Sequence, residues 1–294
     1  MCRRGDPEGA LFQTIGRTWN LAKLSWGVLR KDKELVFFPI MSFVSIAVIV
    51  GIFAAIAFST GSFDRLEAMT ASETTTATQN QITIGDVTLY VLGFVAVTYA
   101  VIFFNAALIA AAIERLRGGD PNVASGLRAV VPHMHKILGW AIISASVGLI
   151  LQALRSRTDN FLGRLALSLV GGIWAYVTFF VVPVLVVRGV GPVEAIKQSS
   201  SLFKRTWGEQ VTANFGFGIF YVVVGLVAIL PAAALFAISP VAGLLVGIPL
   251  LALAVGAVQA TEGIFKAALY EYAAEGVVPQ GFEGAELGSS YAKR

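Results

Sequence analysis

The sequence predicts an all-α membrane protein, a bundle of six transmembrane helices paired as three hairpins, each preceded by an amphipathic helix. Three observations predict this fold. Six apolar stretches are long enough to cross a bilayer, and a unit of helix and hairpin recurs three times along the chain. Hydrophobic residues make up 56% of the 294 residues and charged residues only 14%, whereas a soluble domain has about 25% charged residues.

The six predicted spans occupy nearly half of the chain. About 20 residues at ~1.5 Å rise per residue cover a ~30 Å hydrocarbon layer. A helix bonds its own backbone polar groups while remaining a separate segment in lipid, so each stretch is predicted to be helical. The spans are Val36–Thr60, Val87–Ile113, Ile137–Leu154, Leu165–Val187, Val211–Ala237 and Val241–Ala260.

The remaining segments are assigned by composition. Residues 1–10 are polar and are predicted to be a disordered tail, so the first span is a retained anchor and no cleaved signal peptide is expected. The membrane domain covers 11–276, and 277–294, rich in Gly, is predicted to be a loose cytoplasmic tail. The segment Gly61–Asp86 lacks apolar periodicity and reads as a flexible loop, while Ile238–Pro240 is a tight turn between the last two spans.

Lysine and arginine counts predict the orientation. Eighteen of the 22 lie in the two terminal segments and in the loops after spans two and four, and four lie on the other side. The positive-inside rule therefore places both termini in the cytoplasm. The loop Arg155–Arg164 runs against this trend, because it has three arginines on the outer side. Membrane topology also explains the net charge of +4, so no nucleic-acid partner is predicted.

The repeated unit begins with an amphipathic stretch. The first, over 11–33, has Leu11, Ile15, Trp19, Ala22, Trp26 and Leu29 at steps of three or four residues. Similar spacing occurs in Leu127, Val130, Met134, Ile137 and Trp140, interrupted by Pro132, and in Val193, Ile196, Phe203 and Trp207. Each unit ends on a charged residue, then Gly, then Pro, a pattern typical of a helix stop. These breaks follow spans two, four and six.

The amphipathic helices predict contact with the membrane surface. An apolar face containing Trp, with basic residues on its flank, suits the lipid interface. Trp19, Trp26, Trp140 and Trp207 are the predicted interfacial anchors. The alternative is that these helices pack beneath the bundle as cytoplasmic elbows, and both arrangements hold if the elbows lie in the interface.

Two residues within the spans are candidate functional positions. Asn105 lies in span two, and its amide seeks a partner in hydrocarbon, so it is expected to face the bundle interior. A helix–helix hydrogen bond is the plainer interpretation and a substrate contact is the alternative. Pro183 lies near the end of span four, where proline can kink a helix, although prolines are common in membrane helices generally. The alanines that follow Asn105 predict close approach of a neighbouring helix.

The chain lacks the residue patterns of known catalytic centres. It has no P-loop, G-x-S-x-G or H-E-x-x-H motif. Its two histidines, His133 and His135, are two apart and face different ways on a helix, and the one cysteine, Cys2, is near the N-terminus. The sequence therefore predicts no enzyme activity, no metal and no cofactor.

Several polar or aromatic strings carry a family resemblance. They are Ser25–Leu35, Phe103–Leu108, Gly118–Pro121, Leu138–Ala141, Thr178–Leu185 and Ala268–Ala273. With them the chain resembles, from about residue 11 to 283, an uncharacterised family of six-span prokaryotic integral membrane proteins. The layout is more loosely similar to the membrane domain attached to some glycerophosphodiester phosphodiesterases, whose catalytic domain has no room here. The resemblance implies the topology and a prokaryotic inner membrane, and it supplies no activity.

Three function classes follow from these observations. The first is a non-catalytic scaffold or accessory protein that interacts with lipids, protein partners or a second copy of itself. The second is a permease or flippase-like carrier for a neutral or amphipathic molecule. The third, a membrane enzyme, lacks a catalytic constellation. A lateral cleft that reaches Asn105 would favour the carrier, and a dry, tightly packed interior would favour the scaffold.

Overall fold

A computed structural model describes residues 20–65 and 83–283, with the backbone alone for 205–223 and 242. This part of the chain is all-α. After helix α1 (20–31) and a 3-10 turn (Lys33–Val36), the helices are α2 (Phe37–Ser59), α3 (Ile84–Leu116), α4 (Val123–Val130), α5 (Met134–Ser156), α6 (Phe161–Val177), α7 (Val181–Arg188), α8 (Pro192–Ile238) and α9 (Pro240–Glu275). A second 3-10 turn (Val131–His133) links α4 to α5. The all-α prediction is confirmed.

Five helical segments are long and apolar enough to cross a membrane. They are Lys33–Ser59, Ile84–Leu116, Val123–Ser156, Phe161–Arg188 and Gly243–Glu275. They correspond to predicted spans one, two, three, four and six, so the chain is a multi-span helical membrane protein. Predicted span five lies within α8, where the side chains of 205–223 are outside the described residues and Val224–Ile238 is apolar. A sixth span therefore stays a prediction.

The helix boundaries follow local signals in the sequence. At the start of α3, the Thr83 hydroxyl accepts a hydrogen bond from the backbone N–H of Asp86, whose carboxylate accepts from the Thr83 N–H, forming a capping box. The predicted stops after spans two, four and six are confirmed, because Gly118, Gly189 and Gly276 all have positive φ, at 89°, 58° and 71°. Only Ser239 separates α8 from α9, which confirms the predicted tight turn.

Two predicted helix boundaries are wrong. Span four does not run unbroken from Leu165 to Val187, because residues 178–180 leave the helix between α6 and α7. A continuous helix would bring the Pro183 ring against the carbonyl of residue 179, and Pro183 has no N–H to bond it. The third amphipathic stretch is not separated from its span, since both belong to the single 47-residue helix α8.

The buried core lies at one end of the bundle. Buried side chains are concentrated in the second halves of α3 and α9, the first turns of α2, the first half of α5, and α1 and α7. We call this region the elbow end, because α1 and α4 pack there across the spans. The opposite halves of the spans expose large apolar side chains around the bundle, as expected for helices solvated by lipid.

Helix α3 is the centre of the elbow end and contacts α2, α4, α5, α7 and α9. Ala106, Ala107, Ala111 and Ala112 are completely buried on it, which confirms the predicted close approach. Two glycines of neighbouring helices pack directly on this face. A Cβ at Gly126 of α4 would lie 2.9 Å from the carbonyl oxygen of Ala107, and one at Gly263 of α9 would lie 2.5 Å from a methyl of Leu108.

Ion pairs join the segments at the elbow end. Arg117 donates two hydrogen bonds, of 2.9 and 2.8 Å, to the buried Glu271 carboxylate of α9, and that carboxylate raises the pKa of the guanidinium. Arg115 Nε lies 2.6 Å from Asp32 Oδ2, which connects α3 to the turn after α1. Burial raises the pKa of the Asp32 carboxyl and Arg115 opposes that shift.

The predicted flexible loop Gly61–Asp86 is ordered at both described ends, and this corrects the prediction. Asp86 is buried, accepts a 2.8 Å hydrogen bond from Arg65 Nε, and accepts another from the Ser62 hydroxyl. The Tyr90 hydroxyl donates to the Ser62 carbonyl at 3.2 Å. These bonds close the first hairpin at the end opposite the elbows, and the Asp86 carboxylate raises the pKa of Arg65. Residues 66–82 lie outside the described chain.

The described part of the predicted tail 277–294 also differs from expectation. Phe282 is completely buried in the core, and Gly281 packs within 3.1 Å of Val28 when a Cβ is placed on it. The backbone N–H of Gln280 donates to the carbonyl of Leu116 at 3.4 Å. Residues 279–282 therefore pack on α1 and α3, and the rest of the predicted tail lies outside the described residues, as does the tail 1–10.

Candidate functional site

Asn105 lies on α3 between two openings in the bundle. Its side chain is half-buried and lines both a small cavity on the α2 side and a larger cleft on the α5 side. Among the side chains that the structure describes, none hydrogen-bonds to the Asn105 amide. The helix–helix bond expected from the sequence is thus not formed within this part of the chain, and the amide faces open space.

Helix α9 places three polar side chains opposite Asn105. Gln259, Glu262 and Lys266 are spaced three and four residues apart, so they share one helical face. Glu262 and Lys266 form an ion pair of 2.8 Å, and their side chains retain 32% and 24% exposure. Lys266 Nζ also lies 5.5 Å from the centre of the Phe179 ring, within the range of a cation–π contact.

The first opening, which we call the polar cavity, has a volume of about 180 Å³. It lies between α2, α3 and α9, and all four polar residues, Asn105, Gln259, Glu262 and Lys266, line it. Ser42 of α2 adds a hydroxyl to its wall. The cavity therefore offers an amide, a carboxylate, an ammonium and a hydroxyl over a small volume.

An apolar groove of about 340 Å³ continues from the polar cavity. The two share Pro39, Ser42, Val101 and Gln259 as wall residues. Beyond them the groove runs between α2 and α9 past apolar side chains including Phe43, Ile248 and Val255, each exposed on the outer surface of the bundle. The groove thus opens sideways, on the surface where lipid solvates the helices.

The second opening, which we call the broken-helix cleft, has a volume of about 480 Å³. It lies between α3, α5, α9 and the junction of α6 with α7, and Tyr176, Thr178 and Phe179 line it at that junction. Asn105, Glu262 and Lys266 belong to this cleft as well as to the polar cavity. These three side chains therefore form the partition between the two openings.

A buried serine of α8 stabilises the break between α6 and α7. The Ser199 hydroxyl donates to the carbonyl of Val177 at 2.6 Å and accepts from the backbone N–H of Phe180 at 3.0 Å. Both backbone groups would otherwise lack a helical partner at the break. The irregular backbone is thus bonded inside the protein, the condition under which non-helical segments occur at membrane depth.

The helix lengths place the polar residues at one edge of the hydrocarbon layer. From Ile84 to Asn105 along α3, and from Pro240 to Glu262 along α9, the rise is ~32 Å, about the thickness of the apolar layer. Pro39 and Ser42 lie in the first two turns of α2. Three helices therefore give the same depth, at the elbow end, while the groove extends from there towards the bilayer centre.

The predicted site residues are brought together only in part. Asn105 lies at the partition, whereas Pro183 is buried in α7 next to the cleft-lining Val182 and acts on the backbone break instead of the cleft surface. Trp140 is buried and stacks on Trp174 at 5.9 Å, so it packs within the protein and not at the lipid surface predicted for it. Trp26 is half-buried with Arg30 5.9 Å from its ring. Trp19 and the Trp207 side chain lie outside the described residues.

Sequence reasoning missed Gln259, Glu262 and Lys266 as site residues. Span six was predicted to end at Ala260, which placed the charged pair beyond the membrane, but α9 continues to Glu275. The missed signal is the spacing, since an amide, an acid and a base recur on one face of a segment whose other residues, such as Ile264 and Phe265, are apolar and buried.

Comparison with known families follows the same boundaries. Residues 84–281, about two thirds of the chain, match the profile described as "Family of unknown function (DUF6159)". The chain belongs to this family. The comparisons with curated proteins and with solved structures gave no match. The DUF6159 match spans α3 to α9 and so contains every residue that lines the broken-helix cleft, whereas α2, with Pro39 and Ser42, precedes it.

Proposed function

We propose that this DUF6159 protein is a non-catalytic membrane protein that binds one amphipathic molecule, entering sideways from the bilayer. The continuity of the polar cavity with the apolar groove is the single observation that supports the proposal. An amphipathic molecule has the same two parts in the same order. Its polar end would reach Asn105 and Gln259, and its apolar chain would lie between α2 and α9.

The physical chemistry of the two openings favours this class of ligand. The groove has the volume of a small-molecule site, and few polar groups converge at one end of it, as in ligand pockets generally. The unbonded Asn105 amide can both donate and accept a hydrogen bond. A ligand that supplies its partners recovers the cost of leaving that amide unpaired near hydrocarbon.

A carrier is the second candidate function, and the broken-helix cleft favours it. Asn105, Glu262 and Lys266 face both openings, so a polar group bound on one side is a single side-chain layer from the other. A discontinuous helix lines the second opening, and many transporters build their substrate sites from such helices. In this version the ligand's polar end would pass the partition between α3 and α9.

The groove can be tested by filling it. We expect Ala252→Trp, which places an indole in the groove, to reduce occupancy by co-purified lipid about tenfold, because the chain then loses its contact surface. Leu253→Trp is the matched control, since Leu253 is exposed and does not line the groove. The measurement is native mass spectrometry of protein released from nanodiscs made with a polar lipid extract. Equal lipid occupancy in both variants would overturn the proposal.

We also propose that the protein resides in a prokaryotic cytoplasmic membrane with the elbow end and both termini in the cytoplasm. The excess of Lys and Arg near that end supports this orientation. Membrane lipids are the proposed partners, and association with other proteins or with a second copy stays a prediction. We expect alkaline phosphatase to be inactive when fused to either terminus and active when inserted after Gly61. Opposite activities at the two termini would contradict six spans.

A further inference from the structure

We propose that the polar end of the ligand is a zwitterion containing a phosphate and a primary ammonium, as in a phosphoethanolamine lipid. This inference rests on the proposed function and adds the chemistry of the head group. It begins from the Glu262–Lys266 ion pair, the one feature of the polar cavity that combines both signs of charge in adjacent positions. Lys266 would bind the phosphate and Glu262 would bind the ammonium.

The pair is suited to opening for such a ligand. The two residues are four apart on α9, about one helical turn, and both keep part of their surface exposed towards the cavities. An intrahelical pair of this kind contributes little to stability, so exchanging its partner for a ligand of the same charges loses little. A phosphate and an ammonium joined by a two-carbon linker present the complementary charges at a similarly short spacing.

Neighbouring side chains supply the remaining hydrogen bonds. The Asn105 amide and the Gln259 amide line the same cavity, and each offers two N–H donors and a carbonyl acceptor. The Ser42 hydroxyl lies on the α2 wall. Phosphate oxygens can accept from the amides while the ammonium donates to the carboxylate, so all charged atoms of the head group would be bonded at the edge of the hydrocarbon.

The same geometry disfavours the common alternatives. An anionic head group without an amine would bring its phosphate beside Glu262 and gain no partner for that carboxylate. A choline head group has no N–H to donate to Glu262. An uncharged head group gains nothing from opening the pair. Selectivity is therefore expected to depend on Glu262, and affinity for any phosphate-containing lipid on Lys266.

The test measures binding of three lipids with identical dioleoyl chains and ethanolamine, glycerol or choline phosphate heads, by native mass spectrometry of the full-length protein in detergent. We expect wild-type protein to prefer the ethanolamine lipid about tenfold, as one additional charge-assisted hydrogen bond implies. Glu262→Gln should abolish that preference, and Lys266→Gln should weaken all three lipids about tenfold. Glu275→Gln, an exposed acid on the same helix, is the control and should behave as wild type.

Two further arms separate the outcomes. Water-soluble phosphoethanolamine competes with the lipid only if the head group alone binds, and failure to compete assigns the affinity to the acyl chains as well. The double variant Glu262→Lys with Lys266→Glu keeps both charges and should retain the ethanolamine preference. Equal binding of the three lipids by wild type would overturn the head-group assignment while leaving the groove intact, whereas unaltered lipid binding by Ala252→Trp would overturn the groove itself.

Discussion

Replacing Phe282 by alanine is expected to destabilise the protein by about 3–5 kcal/mol, the usual cost of removing a fully buried aromatic side chain. Phe282 is completely buried among α1, α3 and α9 side chains of the core, although it lies seven residues after the last helix ends. The cavity left behind adjoins that core, and its walls belong to long helices that cannot collapse into it. The measurement is the free energy of unfolding in detergent micelles titrated with urea.

Val278→Ala is the matched control for that substitution. Val278 is an apolar residue of the same segment, but 41% of its surface is exposed, so its truncation should change the free energy of unfolding by less than about 0.5 kcal/mol. Limited proteolysis gives a second readout, because cleavage after residue 276 should accelerate in Phe282→Ala alone. Equal stability of the two variants would show that the segment 277–283 does not stabilise the core.

The parts of the fold that depend on local patterns were predictable from the sequence. The boundaries of α2 differ from those of predicted span one by one residue at each end, because continuous apolar composition is itself the signal. The glycine after each even-numbered span ends its helix with a positive φ, as the sequence predicts. The interruption at Pro132 also appears, as the 3-10 turn between α4 and α5.

The parts that depend on contacts between distant segments were not predictable in this way. Phe282 follows a glycine-rich polar stretch, and nothing local indicates that it packs on α1. The break at 178–180 is bonded by Ser199, a residue from another helix, so the local cue of Pro183 identified a kink without its partner. Asp86 reads as a loop acid until Arg65, from the other end of that loop, is placed beside it.

The candidate site shows the same division. Asn105 stands out as an amide in an apolar span and needs no other segment to be noticed. Glu262 and Lys266 lie past the point where apolar composition ends, so composition assigned them to water. Their significance comes from α3 and from the α6–α7 junction, which place Asn105 and Phe179 against the same helical face.

The position of the core at the elbow end has a physical cause. Between helices in lipid there is no hydrophobic driving force, because the surrounding chains are as apolar as the side chains. At the elbow end the apolar faces of α1, α4 and α7 would meet water or head groups if they were not packed, so burial there gains free energy. Substitutions at the elbow end are therefore expected to control folding, and those in the outer halves of the spans to matter less.

Gly126→Leu is expected to destabilise the protein by about 3 kcal/mol, at the upper end of the cost of overpacking a core. A Cβ at this position of α4 would lie 2.5 Å from Cζ of Phe38 and 2.9 Å from the carbonyl oxygen of Ala107. Phe38 is completely buried and the carbonyl belongs to the backbone of α3, so neither can move aside cheaply. Helix α4 must then lift away from α3.

Helix propensity works against this expected loss, which makes the comparison informative. Leucine favours a helix over glycine by about 0.8 kcal/mol, so a measured destabilisation can only come from packing. Gly27→Leu in α1 is the control, because a Cβ there meets no heavy atom within 4 Å and the change should be neutral or stabilising. Urea titration in the same micelles compares both. If Gly126→Leu were as stable as Gly27→Leu, α4 would not be packed on α3 at the distance described, and the α2–α3–α4 contact would not be part of the core.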